Sequence, residues 1–257
     1  MRVHFLGTGT SFGVPVIGCR CEVCRSEDPR DRRTRHALLL EDGGARLLVD
    51  TPPELRLQLV RAGVDRVDAV FLSHEHADHT HGVDDLRIFT LRTGCPLPLF
   101  VAQEFAGDLR RRFSYIWGEV AEQPGSARPH LALSTFVDRE EICPAGFPMT
   151  PIAFPHGVYR SYGFRAGGLG VIIDGKSVPE DAGALLSGVA VLVINALWFG
   201  KPHAGHFSIE EAIEVSRRLG AGRTYLTHLA HRTSHAELES RLPPGIHAAY
   251  DGLVIDV

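Results

Sequence analysis

Phe71-Leu-Ser-His-Glu-His-Ala-Asp-His-Thr-His81 follows directly on the apolar run Asp68-Ala-Val-Phe-Leu72, and its reading decides the fold. Four ligand-type side chains, His74, His76, Asp78 and His79, stand in the frame H-x-H-x-D-H. Neutral imidazole and ionised carboxylate are the donors that borderline divalent metals prefer. Neighbouring side chains on a loop diverge, so this set cannot all meet one ion, but it can serve two ions a few ångströms apart. A lone His-x-His would read as a solvated loop. Four donors in this frame after a buried strand read as a metal site.

With 257 residues and 44% hydrophobic content, the chain can bury a full core, and a single domain over 1–257 is expected. The net charge of −4 supplies no global basic field, so nucleic acid is not an expected partner. Two short basic runs, Arg30-Asp-Arg-Arg-Thr-Arg35 and Arg110-Arg-Arg112, read as solvated surface. The N-terminus runs straight into a glycine turn without an apolar leader, and no stretch is long enough to cross a bilayer. A cytoplasmic protein without a membrane partner is the resulting expectation. Oligomeric state is left open, a homodimer among the options. Five cysteines in such a setting do not suggest a disulfide framework. Three crowd together as Cys19-x-Cys21-x-x-Cys24, a spacing that points to metal, whereas Cys95 and Cys143 read as ordinary buried or loop thiols.

Short apolar runs rich in β-branched residues read as strands at Val3–Leu6, Ala37–Leu40, Leu47–Val49, Ala69–Leu72, Leu97–Val101, Met149–Phe154, Val171–Ile173, Val189–Ile194 and Thr224–Thr227. Helical periodicity appears at Pro53–Ala62, Asp84–Thr93, Arg110–Trp117 and Ala236–Arg241, and most clearly at Ser208–Leu219, where Ser208 and Glu211 form a capping box. Strands with helices interposed indicate a layered α/β architecture. Residues 104–148 carry the least pattern, with a loop at 123–129, and read as a lid or substrate-covering insertion.

Two ions need more donors than one loop supplies. His156, Asp174 and His228 each follow an apolar run and precede glycine or a short loop, the placement a distant ligand requires. In order and separation, H-x-H-x-D-H at 74–79 with His156, Asp174 and His228 resembles the metallo-β-lactamase superfamily of hydrolases over essentially the whole chain. The resemblance implies a four-layer αββα sandwich of two mixed β-sheets flanked by helices, with two divalent ions, zinc or manganese, at one edge. His74, His76 and His156 would hold one ion and Asp78, His79 and His228 the other, with Asp174 and a hydroxide bridging. Asp50 resembles the family's carboxylate that orients a ligand imidazole. It reads equally well as a helix N-cap before Pro52-Pro53.

Cys19, Cys21 and Cys24 lack a fourth ligand for a closed zinc site, and His231, three residues beyond His228, is the economical choice. This pairing resembles the cyclic-phosphodiesterase branch, which includes an accessory protein of phosphonate metabolism. So do Gly7–Cys24, Val178-Pro-Glu180 and Ala249-Tyr-Asp-Gly252. The branch implies a structural zinc, a small anionic phosphodiester as substrate, and His206 as the proton donor to the leaving group, with His203 its neighbour. Two cations bring four positive charges, and Asp78, Asp174 and hydroxide remove three, which suits an anion. Alternatives within the same fold are a thioesterase, a lactonase, a transfer-RNA 3′-processing nuclease, and a non-catalytic protein of cofactor biosynthesis.

Overall fold

The computed structural model describes residues 1–118 and 127–257. Its first sheet contains β1 (Arg2–Gly7), β2 (Ala37–Asp42), β3 (Ala45–Val49), β4 (Ala69–Leu72), β5 (Leu97–Ala102) and β6 (Leu131–Phe136), with the later β13 (Val254–Asp256) at one edge. The order is β13-β1-β2-β3-β4-β5-β6. The other sheet runs β12-β11-β10-β9-β8-β7, from β7 (Thr150–His156), β8 (Tyr159–Ala166), β9 (Leu169–Ile172), β10 (Val191–Asn195), β11 (Arg223–Thr227) and β12 (Ile246–Ala248). Each sheet starts as an antiparallel meander or hairpin and ends in parallel strands: β3 to β6 in one, β9 to β12 in the other. Parallel strands present their carboxyl ends along one edge, where ligand sites of open α/β sheets form.

Side-chain alternation in the second sheet builds the layers. Val171, Val191 and Val193 face a core shared with Phe5, Leu38, Val49 and Phe71 of the first sheet. Ile172, Leu192 and Ile194 face the other way, onto Ile209, Ala212, Val215 and Leu219 of the helix Ile209–Leu219. Between the sheets, Phe71 stacks on Phe136 at 5.2 Å and meets Phe164 edge-on at 5.4 Å, packing worth about 1 kcal/mol per pair beyond burial. Helices Leu55–Arg61, Arg87–Thr93 and Gln103–Arg112 pack Leu55, Leu59, Phe89 and Leu109 into the same core, and Phe105 meets Tyr162 of β8 edge-on at 5.9 Å. The expected αββα sandwich is therefore the observed one. The capping box also stands: Ser208 accepts from Glu211 N, and Glu211 accepts from Ser208 N. Among the described residues no helix is long and apolar enough to cross a membrane.

Two expectations need correction. The described residues of 104–148 are part of the sandwich rather than a separate lid: Gln103–Arg112 and Ser114–Trp117 are helical and β6 extends the sheet, while the loop read at 123–129 lies partly outside the described residues. Strand β6 is half exposed along its middle, so it carries no continuous apolar run to read. The first basic run is not all solvated, because Arg33 is buried and donates to Thr8 Oγ1 and Ala249 O. Cys95 and Cys143 are exposed loop thiols, one of the two readings the sequence offered.

Asp251 ties the first turn to the end of the chain. It accepts from Thr8 N and Oγ1 at 2.9 and 2.8 Å and from Thr34 N and Oγ1 at 2.8 and 2.6 Å. Asp251→Ala leaves three donors, Thr8 N, Thr8 Oγ1 and Thr34 N, without these partners and is expected to cost about 3 kcal/mol or more. Ser208→Ala removes one cap, about 1 kcal/mol. Thermal unfolding of the two variants checks this ranking; an equal or smaller fall for Asp251→Ala would contradict the tie.

Candidate metal centre

Strand β4 delivers the motif. After Leu72, His74 and His76 lie on the turn, and the short helix Ala77–Thr80 carries Asp78 and His79. Asp50, just past β3, sets the orientation of two of these rings. Its Oδ2 is 2.6 Å from His79 Nδ1, and it accepts from Ser73 N at 2.8 Å and Ser73 Oγ at 2.9 Å. Ser73 Oγ in turn lies 2.9 Å from His74 Nδ1. Protons passed down this chain put N–H on both Nδ1 atoms and leave both Nε2 atoms as bare donors to a metal. The N-cap reading of Asp50 is not realised, since the helix Leu55–Arg61 begins at Glu54 without a side-chain cap.

The distant residues arrive by a shared backbone device. Asp50, Asp174 and His228 have φ of 64°, 49° and 59°, each just past the end of a strand. A non-glycine residue held in the left-handed region costs of order 1–3 kcal/mol and persists only where its surroundings impose it. Here the reversal turns each side chain out of the strand's path toward the same point. His156 ends β7, and its Nδ1 donates to Gly205 O at 2.8 Å, which again leaves Nε2 free. A Cβ at Gly205 would stand 3.2 Å from His156 Nδ1, a tight contact that would press on the ligand ring.

Two donor groups result: His74, His76, His156 and Asp174, and Asp78, His79, Asp174 and His228. Asp174 belongs to both. Its Oδ2 is 3.6 Å from His74 Nε2 and 3.2 Å from His79 Nε2, while its Oδ1 is 3.1 Å from His228 Nε2. With metal–nitrogen and metal–oxygen bonds of about 2.0–2.2 Å, donors of one shell stand roughly 3.0–3.6 Å apart, so these spacings suit an ion. His79 Nε2, His228 Nε2 and Asp174 Oδ1 are buried without a hydrogen-bond partner. Buried polar atoms are almost always satisfied, and a cation at each group would satisfy these.

The electrostatics ask for the same thing. Burial alone would push His79 down, yet the carboxylates of Asp78, Asp174 and Asp50 overcome it and hold the ring well above the ordinary histidine range. Burial would raise Asp174, but His228, His79 and His206 draw it well below the usual carboxylate range. Three carboxylates thus converge on His79, and the proton they hold on its ring is what a metal ion would replace. Burial, then the charge on His79, pushes His74 well down, so this ring is a neutral ligand.

His206 and His203 separate here. The His206 ring is 4.7 Å from those of His156 and His228, with Nδ1 3.8 Å from Asp174 Oδ1 and without a hydrogen-bond partner. His203 lies farther out and spends its Nδ1 on Gly205 N at 3.1 Å. Burial pushes His206 down to about 3, so its ring is neutral at pH 7. Around this centre lies a cavity of ≈ 450 Å³, lined also by Ser11, Val158 and Tyr159. Reading the sequence for ligands missed Tyr159, Ser11 and Ser73. Only Ser73 carried a signal, its place within the motif.

The cysteine cluster is a separate site. Cys19, Cys21 and Cys24 Sγ each lie 3.4 Å from His231 Nδ1, so the four residues form one closed donor group. Tetrahedral zinc with S at about 2.3 Å and N at about 2.1 Å would place S and N roughly 3.6 Å apart, close to what is seen. Burial pushes the Cys24 thiol up to about 11, a proton that zinc binding would have to displace. Cys21→Ser is expected to lose one tightly held zinc per chain and to lower the melting temperature, and zinc affinity is expected to fall as pH is lowered. Elemental analysis that finds no loss in the variant would refute the fourfold site. Asp50→Asn should fold yet bind active-site metal about 10–100-fold more weakly; metal titration showing unchanged affinity would remove its orienting role.

The sequence model of the β-lactamase superfamily domain matches residues 45–229. A solved structure described as a new diphosphatase from the PhnP family superposes with a TM-score of 0.90 at 35% identity, covering 99% of this chain and 97% of that one. Zinc-bound PqqB from Methylobacterium extorquens shares the fold, with a TM-score of 0.80 at 23% identity over the whole of both chains. In sequence the chain is 38% identical over 255 residues to the octanoyltransferase of Porphyromonas gingivalis, a match that takes in 98% of the chain but spans only 51% of that protein's length. Matched over most of its length, with both sheets, the donor edge and the motif in place, the chain belongs to the β-lactamase superfamily and has the metallo-β-lactamase fold, a metal-binding hydrolase scaffold.

Proposed function

We propose that the protein is a dinuclear-metal hydrolase that cleaves small phosphodiesters, cyclic ones included. The observation that carries this reading is Asp174, a single buried carboxylate shared by two complete donor groups. His74, His76 and His156 would hold one ion, Asp78, His79 and His228 the other, and a third ion, zinc, would sit in the cysteine cluster. Two divalent cations at such a centre lower the pKa of water and clamp the attacking and leaving oxygens of an in-line displacement. The solved diphosphatase supports phosphorus chemistry, as does the charge balance, which leaves room for one anion.

The chain's own residues then have defined tasks. Asp50 and Ser73 fix the tautomers of His79 and His74. Gly205 O does the same for His156, and because it lies on the loop that bears His206, ligand and proton donor are placed together. Burial holds the His206 ring neutral. A phosphate anion entering beside it favours the charged ring, so the proton is gained where it is needed, next to the leaving oxygen. Asp78 serves in this scheme as a ligand and as a fixed negative charge that orients the nucleophile.

His206→Ala should keep its metal and lose about 100-fold or more in kcat on 2′,3′-cyclic nucleotides. The loss should be smaller on bis(p-nitrophenyl) phosphate, whose leaving group needs less help. An equal, small effect on both substrates would sink the proton-donor role. The name of the Porphyromonas gingivalis relative favours a second reading, hydrolysis of an acyl thioester. Assaying octanoyl thioesters beside phosphodiesters on the same metal-loaded protein decides between them.

A further inference from the structure

His206 stands on a loop that its neighbours must hold in place. Residues 198–207 lie between β10 and the helix Ile209–Leu219, and backbone bonds close the neck of the loop: Leu197 N donates to Phe207 O at 3.0 Å and Ile209 N to Trp198 O at 2.9 Å. Gly200 N is pinned to the Glu210 carboxylate at 3.0 and 3.1 Å. Inside the loop lie the Gly205 carbonyl that accepts from His156, His206 itself, and one wall of the cavity, made with His203 and Ala204.

Trp198 braces this loop from within. Its indole Nε1 donates to Lys201 O at 2.8 Å, and its ring meets that of His203 at right angles, with centroids 5.9 Å apart at 89°. His203 is the next support: its Nδ1 accepts from Gly205 N at 3.1 Å, and its ring lies 5.1 Å from that of His206. Contacts therefore run from the indole to the proton donor without a gap. The half-buried indole is itself covered, because the Arg232 guanidinium lies over its face, 3.7 Å from the ring centre. That is well inside the roughly 6 Å over which a cation is attracted to an indole, and a planar guanidinium stacks where an ammonium does not.

Arg232 directly follows His231, the fourth member of the cysteine group, and lines with Cys21 and His231 a cavity apart from that of the metal centre. Beside the same contact, Ala230 N donates to Leu197 O at 3.0 Å, which ties the two loops through their backbones. On the reading of His206 as proton donor, we propose that Trp198 is its positioning residue, and that the cysteine group acts on turnover through Arg232, which clamps the indole. When the indole shifts, Lys201 O loses its donor and the loop is free to carry His206 away from the leaving oxygen. A misplacement of about 1 Å is enough to cost up to about 100-fold in rate. The two donor groups are built mainly from other elements, so their ions stay.

Steady-state kinetics of Trp198→Phe, which keeps a ring beneath Arg232 but loses the N–H, and of Arg232→Ala test this beside His206→Ala. Each metal-loaded variant should hold one ion per donor group by elemental analysis. Each of the first two should lower kcat about tenfold on 2′,3′-cyclic nucleotides, with KM changed by less than about twofold and a smaller loss on bis(p-nitrophenyl) phosphate. Combined with His206→Ala, neither should cost more, because the residue it positions is gone. Arg232 is exposed, so its replacement carries the test even if the tryptophan variant folds poorly. Trp117 is the chain's other tryptophan, so emission from Trp117→Phe reports Trp198 alone. Zinc added to metal-free Trp117→Phe should shift that emission, and adding Cys21→Ser should remove most of the shift. Equal losses on the two substrates, losses that add to that of His206→Ala, or an emission shift indifferent to Cys21→Ser overturn the proposal and leave the proton donor standing. If His206→Ala shows no dependence on the leaving group, the donor reading falls and the proposal with it.

Discussion

Asp50, Asp78 and Asp174 converge on His79 at the edge of a sandwich that is otherwise apolar, and much of the molecule's local geometry answers to that concentration of charge. Three carboxylates cannot be left together in a low-dielectric space without positive charge. The carboxylates hold the His79 ring well above the ordinary histidine range, and several inward-facing atoms are left without partners. Metal ions supply the missing charge in a way that side chains of this size do not. The left-handed backbone at Asp50, Asp174 and His228 follows from the same demand, since strand ends must turn sharply to bring donors from both sheets to one point.

The candidate site was more legible than the fold around it. H-x-H-x-D-H is local, and the chemistry of its donors needs no tertiary information. His156, Asp174 and His228 could be found because each follows a buried strand, and the strands themselves were visible as β-branched runs. What escaped was whatever depends on partial exposure or on backbone atoms. Strands β6, β12 and β13 are short or half exposed at sheet edges, and β8, with Arg160, Ser161, Gly163 and Arg165 along it, has no continuous apolar stretch. Gly205 enters through its carbonyl oxygen, which no side-chain motif can announce. Asp50 was equivocal in sequence because a carboxylate before two prolines serves a helix start as well as a histidine, and only the Ser73 and His79 contacts separate the two.

The cysteine cluster and the edge that carries the two donor groups are mechanically joined. Leu229, next to His228, donates its amide to Thr8 O at 2.9 Å, and Gly9 N donates to Thr34 O at 2.8 Å, so the first turn of the chain is stitched to the loop that carries both His228 and His231. The loop from Ser11 to Cys24 is thereby fixed at both ends, by Asp251 and these backbone bonds on one side and by His231 on the other. Ser11, which walls the cavity, lies between those anchors. The role assigned to the thiolates is consequently one of placement, holding a wall of the site without entering its chemistry.

The central claim is that Asp174 is shared by two ions. Elemental analysis of the chain and of Asp174→Ala, after loading with zinc or manganese and removal of free metal, tests it most directly. The chain should hold one ion for each of its three donor groups. The variant should lose both active-site ions together and retain the one held by the cysteines. A variant that loses a single ion, or none, would contradict a shared carboxylate.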